Sequence, residues 1–281
     1  MCLGPHHYEV GIMLRIAMLL SVLLFNAETW GRLTKENIKK LESVDLMLLR
    51  KLLQTPISSP KASLYLETGC IPIRFLIKGK RIMYLHHILT RNEDALIRKV
   101  FSAQVQKPTK GDWCQVVRED LDSIGLATLS FKDIALKSKE NLRNVVMEKI
   151  RYTAFQELEE EKKNLSKVAG ISYSKLEMQP YLYEPKLTTK LKQLTYKWRT
   201  RMIKVGWNYG EKGMCPICLD ENDTQSHLLE CKELNNINNL AELADDSEQY
   251  DLTKHMKQLE AAIRKREVIL EEREKERDGD S

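Results

Sequence analysis

The sequence predicts an all-α protein, with a helical bundle followed by a small module of three cysteines and one histidine and then by a terminal charged helix. Three observations support this fold class. Apolar residues recur every three or four positions along most of the chain, which is the period of an amphipathic helix. Capping residues and glycine or proline stops bracket these stretches. No stretch shows a convincing strand pattern or an internal repeat.

The composition permits a globular core but does not select a function. The chain has 281 residues, 42% of them hydrophobic and 30% charged, which suffices for one large domain or two to three small ones. The net charge of +5 is only mildly basic. Cys2, Cys70 and Cys114 lie far apart without disulfide spacing. We therefore expect a reducing compartment and an intracellular protein, in the nucleus or the cytoplasm.

An apolar run lies near the start of the chain, at residues 10–25 (VGIMLRIAMLLSVLLF). It has the composition of a signal peptide or membrane anchor. However, Arg15 interrupts it, no Lys or Arg precedes it, and the uninterrupted part, residues 16–25, is too short to span a bilayer. We therefore expect a buried core helix here. A membrane-anchored protein that uses this run is kept as an alternative hypothesis.

A second helix is predicted to begin after Thr34, a good N-cap, and to end before the turn at residues 55–60. Its apolar stripe at helical spacing is formed by Ile38, Leu41, Val44, Leu48 and Leu52. Asp45 and Arg50 lie off that stripe, and the pattern as a whole predicts a core helix.

Further helices follow from the same signals. They are predicted at about residues 61–69, 73–89, 92–104, 113–124, 131–136 and 140–163. Gly69 and Gly125 are natural stops and Asp112 is a natural N-cap. These helices complete a bundle over residues 1–165, and the tyrosine-rich residues 166–187 form an irregular connector.

The third region, residues 188–235, combines a basic helix with a metal-binding pattern. Thr188 or Thr189 caps the helix, and we expect it to run to Lys204 before stopping at Gly206. No acidic residue lies between Lys186 and Lys204. Lys and Arg neutralise phosphates, and aromatic rings stack on unpaired bases. The residues predicted to contact nucleic acid are Lys190, Lys192, Lys197, Trp198, Arg199, Arg201, Lys204 and Tyr209. The alternative is a core tryptophan with a merely solvated basic face.

Residues 215–231 read CPICLDENDTQSHLLEC, a C-x2-C-x8-H-x3-C pattern. The predicted ligands of one structural Zn²⁺ ion are Cys215, Cys218, His227 and Cys231. The two cysteines of the C-x2-C turn can point at one ion, and on a helix the H-x3-C pair shares one face. Thr224 or Ser226 is a candidate cap for that helix. Because all four ligands come from the chain, the pattern favours a structural rather than a catalytic zinc, and a redox-active C-x-x-C is the weaker alternative.

The fourth region, residues 236–281, is predicted to be a polar linker and a charged helix at about residues 252–276. Apolar residues of this helix follow a heptad-like rhythm, broken at Arg266, so a coiled coil is possible but too short to assign. Asp245-Asp246 resembles the paired aspartates of two-metal catalysis, but no third carboxylate accompanies it, so we interpret it as part of the linker. No nucleotide-binding loop or hydrolase motif is present, and we expect no catalytic residues.

Several phrases of the sequence together resemble one family. They are residues 20–54 (LSVLLFNAETWGRLTKENIKKLESVDLMLLRKLLQ), residues 56–76, Lys110-Gly111-Asp112-Trp113 and the closing CCHC pattern. In this order they resemble the region after the polymerase palm in reverse transcriptases of non-long-terminal-repeat, jockey-like retrotransposons. The resemblance implies a thumb-like helical region at residues 1–165 and a CCHC zinc knuckle that grips nucleic acid. The palm would lie before residue 1.

From this resemblance and the basic helix we expect a non-enzymatic fragment of an RNA-directed DNA polymerase that binds RNA and/or DNA. A second hypothesis is a zinc-dependent protein-interaction module that self-associates through its terminal helix, at residues 252–270. The two differ in the salt dependence of nucleic-acid binding, which is steep only for the first.

Overall fold

The computed structural model describes residues 7–210, 213–235 and 252–279. Over these residues the chain is all-α, as predicted, and β structure there is limited to isolated bridges. The predicted linker at residues 236–251, with Asp245 and Asp246, lies outside the described residues.

The α-helices, in chain order, are α1 (His7–Leu14), α2 (Ser21–Leu23), α3 (Lys35–Leu53), α4 (Lys61–Thr68), α5 (Ile73–Leu89), α6 (Leu96–Gln106), α7 (Trp113–Ser123), α8 (Phe131–Leu136), α9 (Lys139–Lys163), α10 (Pro180–Tyr183), α11 (Thr189–Arg199), α12 (His227–Glu230), α13 (Lys232–Asn235) and α14 (Leu252–Gly279). A π-helix at Arg15–Leu20 joins α1 to α2, and 3-10 turns lie at Ala27–Thr29 and Gly206–Tyr209. The helix boundaries predicted for the bundle agree with these to within a few residues.

The chain divides into two compact units. The N-terminal unit consists of Tyr8–Leu165 and Ser172–Gln179. The C-terminal unit consists of Met1–His7, Ser166–Ile171 and Pro180–Ser281. The stretch predicted as a connector is therefore shared between the two units, and the terminal helix belongs to the same unit as the CCHC pattern.

Helix α5 is the centre of the N-terminal unit, because α3, α6, α7, α8, α9 and the 3-10 turn at Ala27–Thr29 all pack against it. Ile73 and Ile77 of α5 are fully buried with Leu24 and Ala27. The predicted N-cap of the neighbouring helix α3 is present, since the Thr34 side chain accepts a hydrogen bond from the N–H of Asn37. The unit thus has a continuous apolar core of its own.

A buried ion pair lies in the N-terminal unit, at a residue outside the predicted apolar stripe of α3. Asp45 of α3 is fully buried and accepts two hydrogen bonds from Arg15, at 2.6 and 2.7 Å. The Arg15 guanidinium also donates to the carbonyl of Ile71 at 3.0 Å, and the Tyr65 hydroxyl donates to Asp45 at 3.1 Å. Burial opposes the charge on Arg15, but the Asp45 carboxylate outweighs it and raises the pKa of the guanidinium. Asp45 is therefore buried although it lies off the predicted apolar stripe of α3.

The segment at residues 10–25 is helical, as predicted, but most of its apolar side chains are not buried. Arg15 and Leu24 are buried, whereas Leu14, Met18, Val22 and Phe25 are 47%, 65%, 78% and 77% exposed. The ion pair between Arg15 and Asp45 determines which face of this segment turns inward. The apolar residues Leu14, Met18, Val22 and Phe25 therefore face outward. Of the helices described, none has both the length and the apolar character needed to cross a bilayer.

Residues 172–179 join the N-terminal unit through α4. The N–H of Gln179 donates to the carbonyl of Glu67 at 2.9 Å, and Thr68 pairs with Met178 in an isolated bridge. Gly69, the predicted stop of α4, has a φ of 66°, and a Cβ there would lie 2.2 Å from the Met178 nitrogen. A glycine is needed here both for the left-handed backbone and for this close approach.

In the C-terminal unit, α14 packs against α11, α12 and α13. Its buried residues Met256, Leu259, Ala262 and Arg266 lie along one face. The apolar rhythm predicted to support self-association is therefore used inside the unit. Arg266, which was predicted to break that rhythm, continues the buried face as a paired cation.

Helix α11 ends five residues earlier than predicted, at Arg199 instead of Lys204. Arg201 has a φ of 52°, and the N–H of Met202 donates to the carbonyl of Lys197 at 2.7 Å. This is a Schellman ending with an arginine in the left-handed position, which glycine usually occupies. The buried Thr200 hydroxyl donates to the carbonyl of Tyr196 at 2.7 Å and occupies one more carbonyl of the last turn.

Candidate metal centre

A short hairpin carries the first two cysteines of the CCHC pattern. Met214 and Asn222 form an antiparallel bridge, and the N–H of Cys215 donates to the carbonyl of Glu221 at 2.6 Å. The turn between them is closed by a hydrogen bond from the N–H of Leu219 to the carbonyl of Cys215 at 2.9 Å. The hairpin therefore brings the Cys215 and Cys218 thiols to one side of a tight turn.

The other two members of the pattern lie on the short helix α12. The Thr224 hydroxyl accepts a hydrogen bond from the N–H of His227 at 3.2 Å, so Thr224 is the cap of the two candidates. The N–H of Cys231 donates to the carbonyl of His227 at 2.7 Å, which is one helical turn. His227 and Cys231 thus share one face, as the H-x3-C spacing predicts.

The hairpin and the helix bring the four predicted ligands together. One ligand atom from each of Cys215, Cys218, His227 and Cys231 lies within 4.8 Å of the others, and Cys218 Sγ lies 3.3 Å from His227 Nε2. Around a tetrahedral Zn²⁺, bond lengths of about 2.3 Å to sulfur and 2.0 Å to nitrogen separate these two atoms by roughly 3.5 Å. The cluster is therefore compatible with a metal site.

A carboxylate orients the histidine of the cluster. Glu221 Oε2 lies 3.1 Å from His227 Nδ1. An Nδ1–H that donates to this carboxylate leaves Nε2, on the side of Cys218, as the free lone pair. The ligand spacing does not indicate Glu221, because its contact with His227 follows from the pairing of the hairpin.

The cysteines differ in how readily they become thiolates, the form that binds metal. Hydrogen bonds from the backbone N–H groups of Asp220 and Glu221 lower the pKa of the Cys218 thiol to about 6. Burial raises the pKa of the Cys231 thiol. Cys218 is therefore the first of these two ligands to be available at neutral pH.

Asp223, at the end of the hairpin, connects the cluster of three cysteines and one histidine to the rest of the C-terminal unit. Its carboxylate accepts two hydrogen bonds from Arg266 of α14, at 2.6 and 2.8 Å, and one from the N–H of Gly206 at 2.6 Å. Its backbone N–H donates to Gly213 and its carbonyl accepts from Trp207, at 2.9 and 3.1 Å. Both partners of the ion pair are more than 90% buried. No sequence motif indicated this pair.

Helix α14 also donates hydrogen bonds to backbone carbonyls around the cluster. The Arg273 guanidinium reaches the carbonyls of Pro216 and Ile217, the latter at 3.2 Å. The Lys265 ammonium reaches the carbonyl of Glu233 in α13 at 2.6 Å. Cationic side chains of the terminal helix therefore hold the C-x2-C turn from one side and the residues after Cys231 from the other.

The residues predicted to contact nucleic acid fall into three groups. Lys190, Arg201, Lys204 and Tyr209 are exposed, and Lys197 and Arg199 are half-buried, with the Arg199 guanidinium 5.7 Å from the Tyr181 ring centroid. Trp198 is half-buried and its ring meets that of His255 edge-on at 5.4 Å.

Lys192 forms the third group. It was predicted to contact nucleic acid, but its side chain is only 1% exposed. It lies on the inner face of α11, between the buried Leu191 and Gln193, so its ammonium is not placed to meet phosphate in solvent.

A cleft of about 540 Å³ lies between the hairpin and the turn that precedes it. Lys204 and Tyr209 line it together with Met214 and Pro216 of the hairpin. The Tyr209 ring is 54% exposed and has the Lys167 ammonium 4.4 Å from its centroid. Because Lys204 and Tyr209 border residues of the hairpin that carries Cys215 and Cys218, the candidate metal centre and this cleft depend on the same backbone.

No family model, curated protein or solved structure matches the chain.

Proposed function

We propose that the C-terminal unit is a zinc-stabilised module that binds single-stranded RNA or DNA. The observation that carries this proposal is the convergence of Cys215, Cys218, His227 and Cys231 within 4.8 Å, beside a cation-rich segment. Three thiolates and an imidazole form a donor set suited to Zn²⁺. All four ligands come from the protein, so the ion would be structural and would leave no position for a substrate.

The surroundings of the cluster supply the contacts that nucleic acid requires. Arg201 and Lys204 are exposed cations in the loop between α11 and the hairpin. Trp207 and Tyr209, in the 3-10 turn, are 46% and 54% exposed. Cations would neutralise phosphates and the aromatic rings would stack on unpaired bases, a combination typical of single-strand binding.

Lys190 would add to this surface. Its ammonium lies 2.9 Å from Glu260 of α14, with the lysine side chain 67% exposed. An exposed pair of this kind contributes little stability. Replacing Glu260 by a phosphate as the partner of Lys190 therefore costs little free energy. The Lys190 ammonium can bind either group.

We further propose that the chain derives from the post-palm region of a retrotransposon reverse transcriptase, as its motifs imply, and that it acts by binding and not by catalysis. Under this proposal the helical N-terminal unit corresponds to the thumb-like region, and the metal module to the nucleic-acid grip. The competing hypothesis is a zinc-dependent protein-interaction module. It predicts weak nucleic-acid binding that does not depend on salt.

The test is fluorescence anisotropy of the full chain with labelled single-stranded RNA and DNA across a salt series. We expect binding that weakens steeply with salt and is lost when zinc is chelated. The double variant R201E/K204E should bind roughly tenfold more weakly at low salt. The control K35E/K39E makes the same charge change on exposed lysines of the N-terminal unit and should bind within about twofold of wild type.

Two outcomes would contradict the proposal. Absence of binding at low salt, with zinc bound, would favour the protein-interaction module. Equal loss of binding in both double variants would show that net charge, and not this surface, is responsible.

A further inference from the structure

A groove of about 940 Å³ in the N-terminal unit has no part in the function proposed above. Three walls enclose it, from the segment at residues 12–24, from α5 and from α9. The apolar side chains that line these walls include Ile12, Ile16, Leu20, Leu76, Met83 and Met147. Ile16 is 58% exposed although it faces a groove. A solvent-exposed apolar surface of this kind marks a site of interaction.

One wall carries a row of cations. Lys139, Arg143 and Arg151 line the groove from α9, with Met147 between the last two. Successive positions are four residues apart, so the row advances about 6 Å at each step and extends over roughly 18 Å. Neither Lys139 nor Arg143 forms an ion pair with any described residue. Arg151 donates to the carbonyl of Leu176 at 3.3 Å.

The groove holds little negative charge to balance this row. Among the described residues that line it, Glu28 is the single carboxylate. The Lys80 ammonium, which also lines the groove, lies 3.5 Å from Glu28 and donates to the carbonyl of Leu24 at 2.9 Å. The surface is therefore apolar along its length and positive along one edge.

We propose that this groove binds an acidic amphipathic helix of a partner protein. The apolar face of the helix would lie on Ile16, Leu20 and Met83. Carboxylates one helical turn apart would meet Lys139 and Arg143, and a carboxylate two turns further along would meet Arg151. A helix with Glu or Asp at every fourth position repeats at about 6 Å, which matches the cation row. Docking of an amphipathic helix in an apolar groove is an established mode of recognition.

Two other classes of ligand fit the groove less well. A small anion satisfies one cation and leaves the rest of the row without a partner. A nucleic-acid backbone would match the cations but would bring phosphates and sugars against apolar walls, which offer them no hydrogen bonds. The combination of a long apolar surface with one positively charged edge favours an acidic amphipathic helix over these two ligands.

The test uses the full chain and a fluorescein-labelled peptide of about 18 residues. A helix of this length is somewhat longer than the row of cations. The peptide has leucines on one face and, beside them, four glutamates spaced four residues apart, so that the series covers the whole row from Lys139 to Arg151. A second peptide has glutamine in place of each glutamate. We expect saturable binding of the glutamate peptide, and about fivefold weaker binding of the glutamine peptide.

Protein variants locate the binding to the groove. Arg143→Glu should weaken the glutamate peptide roughly fivefold or more, because it replaces attraction by repulsion in the middle of the row. Lys149→Glu is the matched control, since Lys149 is an exposed cation of α9 that does not line the groove. Ile16→Ser should weaken binding of both peptides, because it removes apolar contact.

Three results would overturn the proposal. One is the absence of saturable binding by the glutamate peptide. Another is equal weakening by Arg143→Glu and Lys149→Glu. The third is displacement of the peptide by single-stranded RNA that itself loses affinity through Arg143→Glu, which would assign the row to nucleic acid.

Discussion

The buried arginine–aspartate pairs Arg15–Asp45 and Arg266–Asp223, one from each unit of the molecule, lie in very different surroundings. Arg15 pairs with Asp45 in the N-terminal unit and Arg266 pairs with Asp223 in the C-terminal unit. In both pairs the guanidinium donates two hydrogen bonds to the carboxylate. In both, the arginine interrupts an otherwise apolar helical pattern.

The pair in the N-terminal unit is embedded in an apolar core. Leu49, Leu53 and Leu64 of the helices around it are fully buried. We infer that apolar burial is the main contribution to the folding of this unit, and that the pair fixes which face of the first helical segment turns inward.

The pair in the C-terminal unit holds a helix against a hairpin. Asp223 belongs to the hairpin of the metal centre, and α14 reaches that hairpin largely through polar contacts from Arg266 and Arg273. We infer that the metal supplies here what apolar burial supplies in the other unit. The same kind of ion pair thus orients a core in one unit and links two secondary elements in the other.

The largest expected difference between the units comes from removing a metal ligand. Cys218→Ser should abolish zinc binding and unfold the C-terminal unit, since a structural zinc contributes on the order of 10 kcal/mol to the folding of such modules. The melting transition of the N-terminal unit should stay in place. Zinc content by mass spectrometry and circular dichroism check both statements.

The control for this variant is Cys114→Ser, which replaces a buried cysteine of the N-terminal unit outside the cluster. It should retain zinc. Unchanged zinc content and circular dichroism in Cys218→Ser would contradict the assignment of this cysteine as a ligand.

Breaking the ion pair of the apolar core should have the next largest effect. Asp45→Ala leaves the Arg15 guanidinium buried without its carboxylate and should destabilise the N-terminal unit by about 3–5 kcal/mol. Urea unfolding followed by the fluorescence of the full chain measures this loss. The double variant R15M/D45L removes both charges and should lose less. A double variant at least as unstable as Asp45→Ala would show that the pair is needed for more than compensation of a buried charge.

Breaking the pair in the C-terminal unit should cost less. Arg266→Met leaves Asp223 with the N–H of Gly206 as a donor, and Asp223 lines the cleft of about 540 Å³, where water can solvate it. We expect a loss of about 2–3 kcal/mol, confined to the C-terminal unit, with faster proteolysis of α14 and weaker zinc binding. Proteolysis of α14 at the wild-type rate would contradict the role of the pair as a link between helix and hairpin.

The smallest expected effect is a gain in stability. Leu219 has a φ of 58° in the turn after Cys218, a conformation that costs a residue with a Cβ about 1 kcal/mol. Leu219→Gly should therefore raise the melting temperature of the C-terminal unit. Leu219→Ala is the control, because it keeps the Cβ and should bring no such gain. An equal gain in both variants would point to loss of the exposed leucine side chain instead.

Features set by local sequence were predictable. The caps at Thr34 and Asp112 and the stop at Gly69 depend on residues within one turn of the helix end, so the sequence contains all that determines them. The convergence of Cys215, Cys218, His227 and Cys231 was predictable because their spacing reflects one turn and one helical step.

Features set by distant partners were not predictable. Asp45 and Arg266 face inward because their ion-pair partners lie 30 and 43 residues away in the sequence, and polar residues without visible partners are expected to face solvent. Glu221 has its role only through the pairing of the hairpin. The early end of α11 lacks a glycine signal, since an arginine occupies its left-handed position.

The central claim, that metal folds the C-terminal unit while apolar burial folds the N-terminal unit, is tested most directly by hydrogen exchange. Peptide-resolved exchange of the full chain would be followed by mass spectrometry with zinc bound and after chelation. We expect chelation to remove protection from residues 203–235 and from α14, and to leave α3, α5 and α9 unchanged. Unchanged protection in the hairpin and α14, or an equal loss in both units, would contradict the claim.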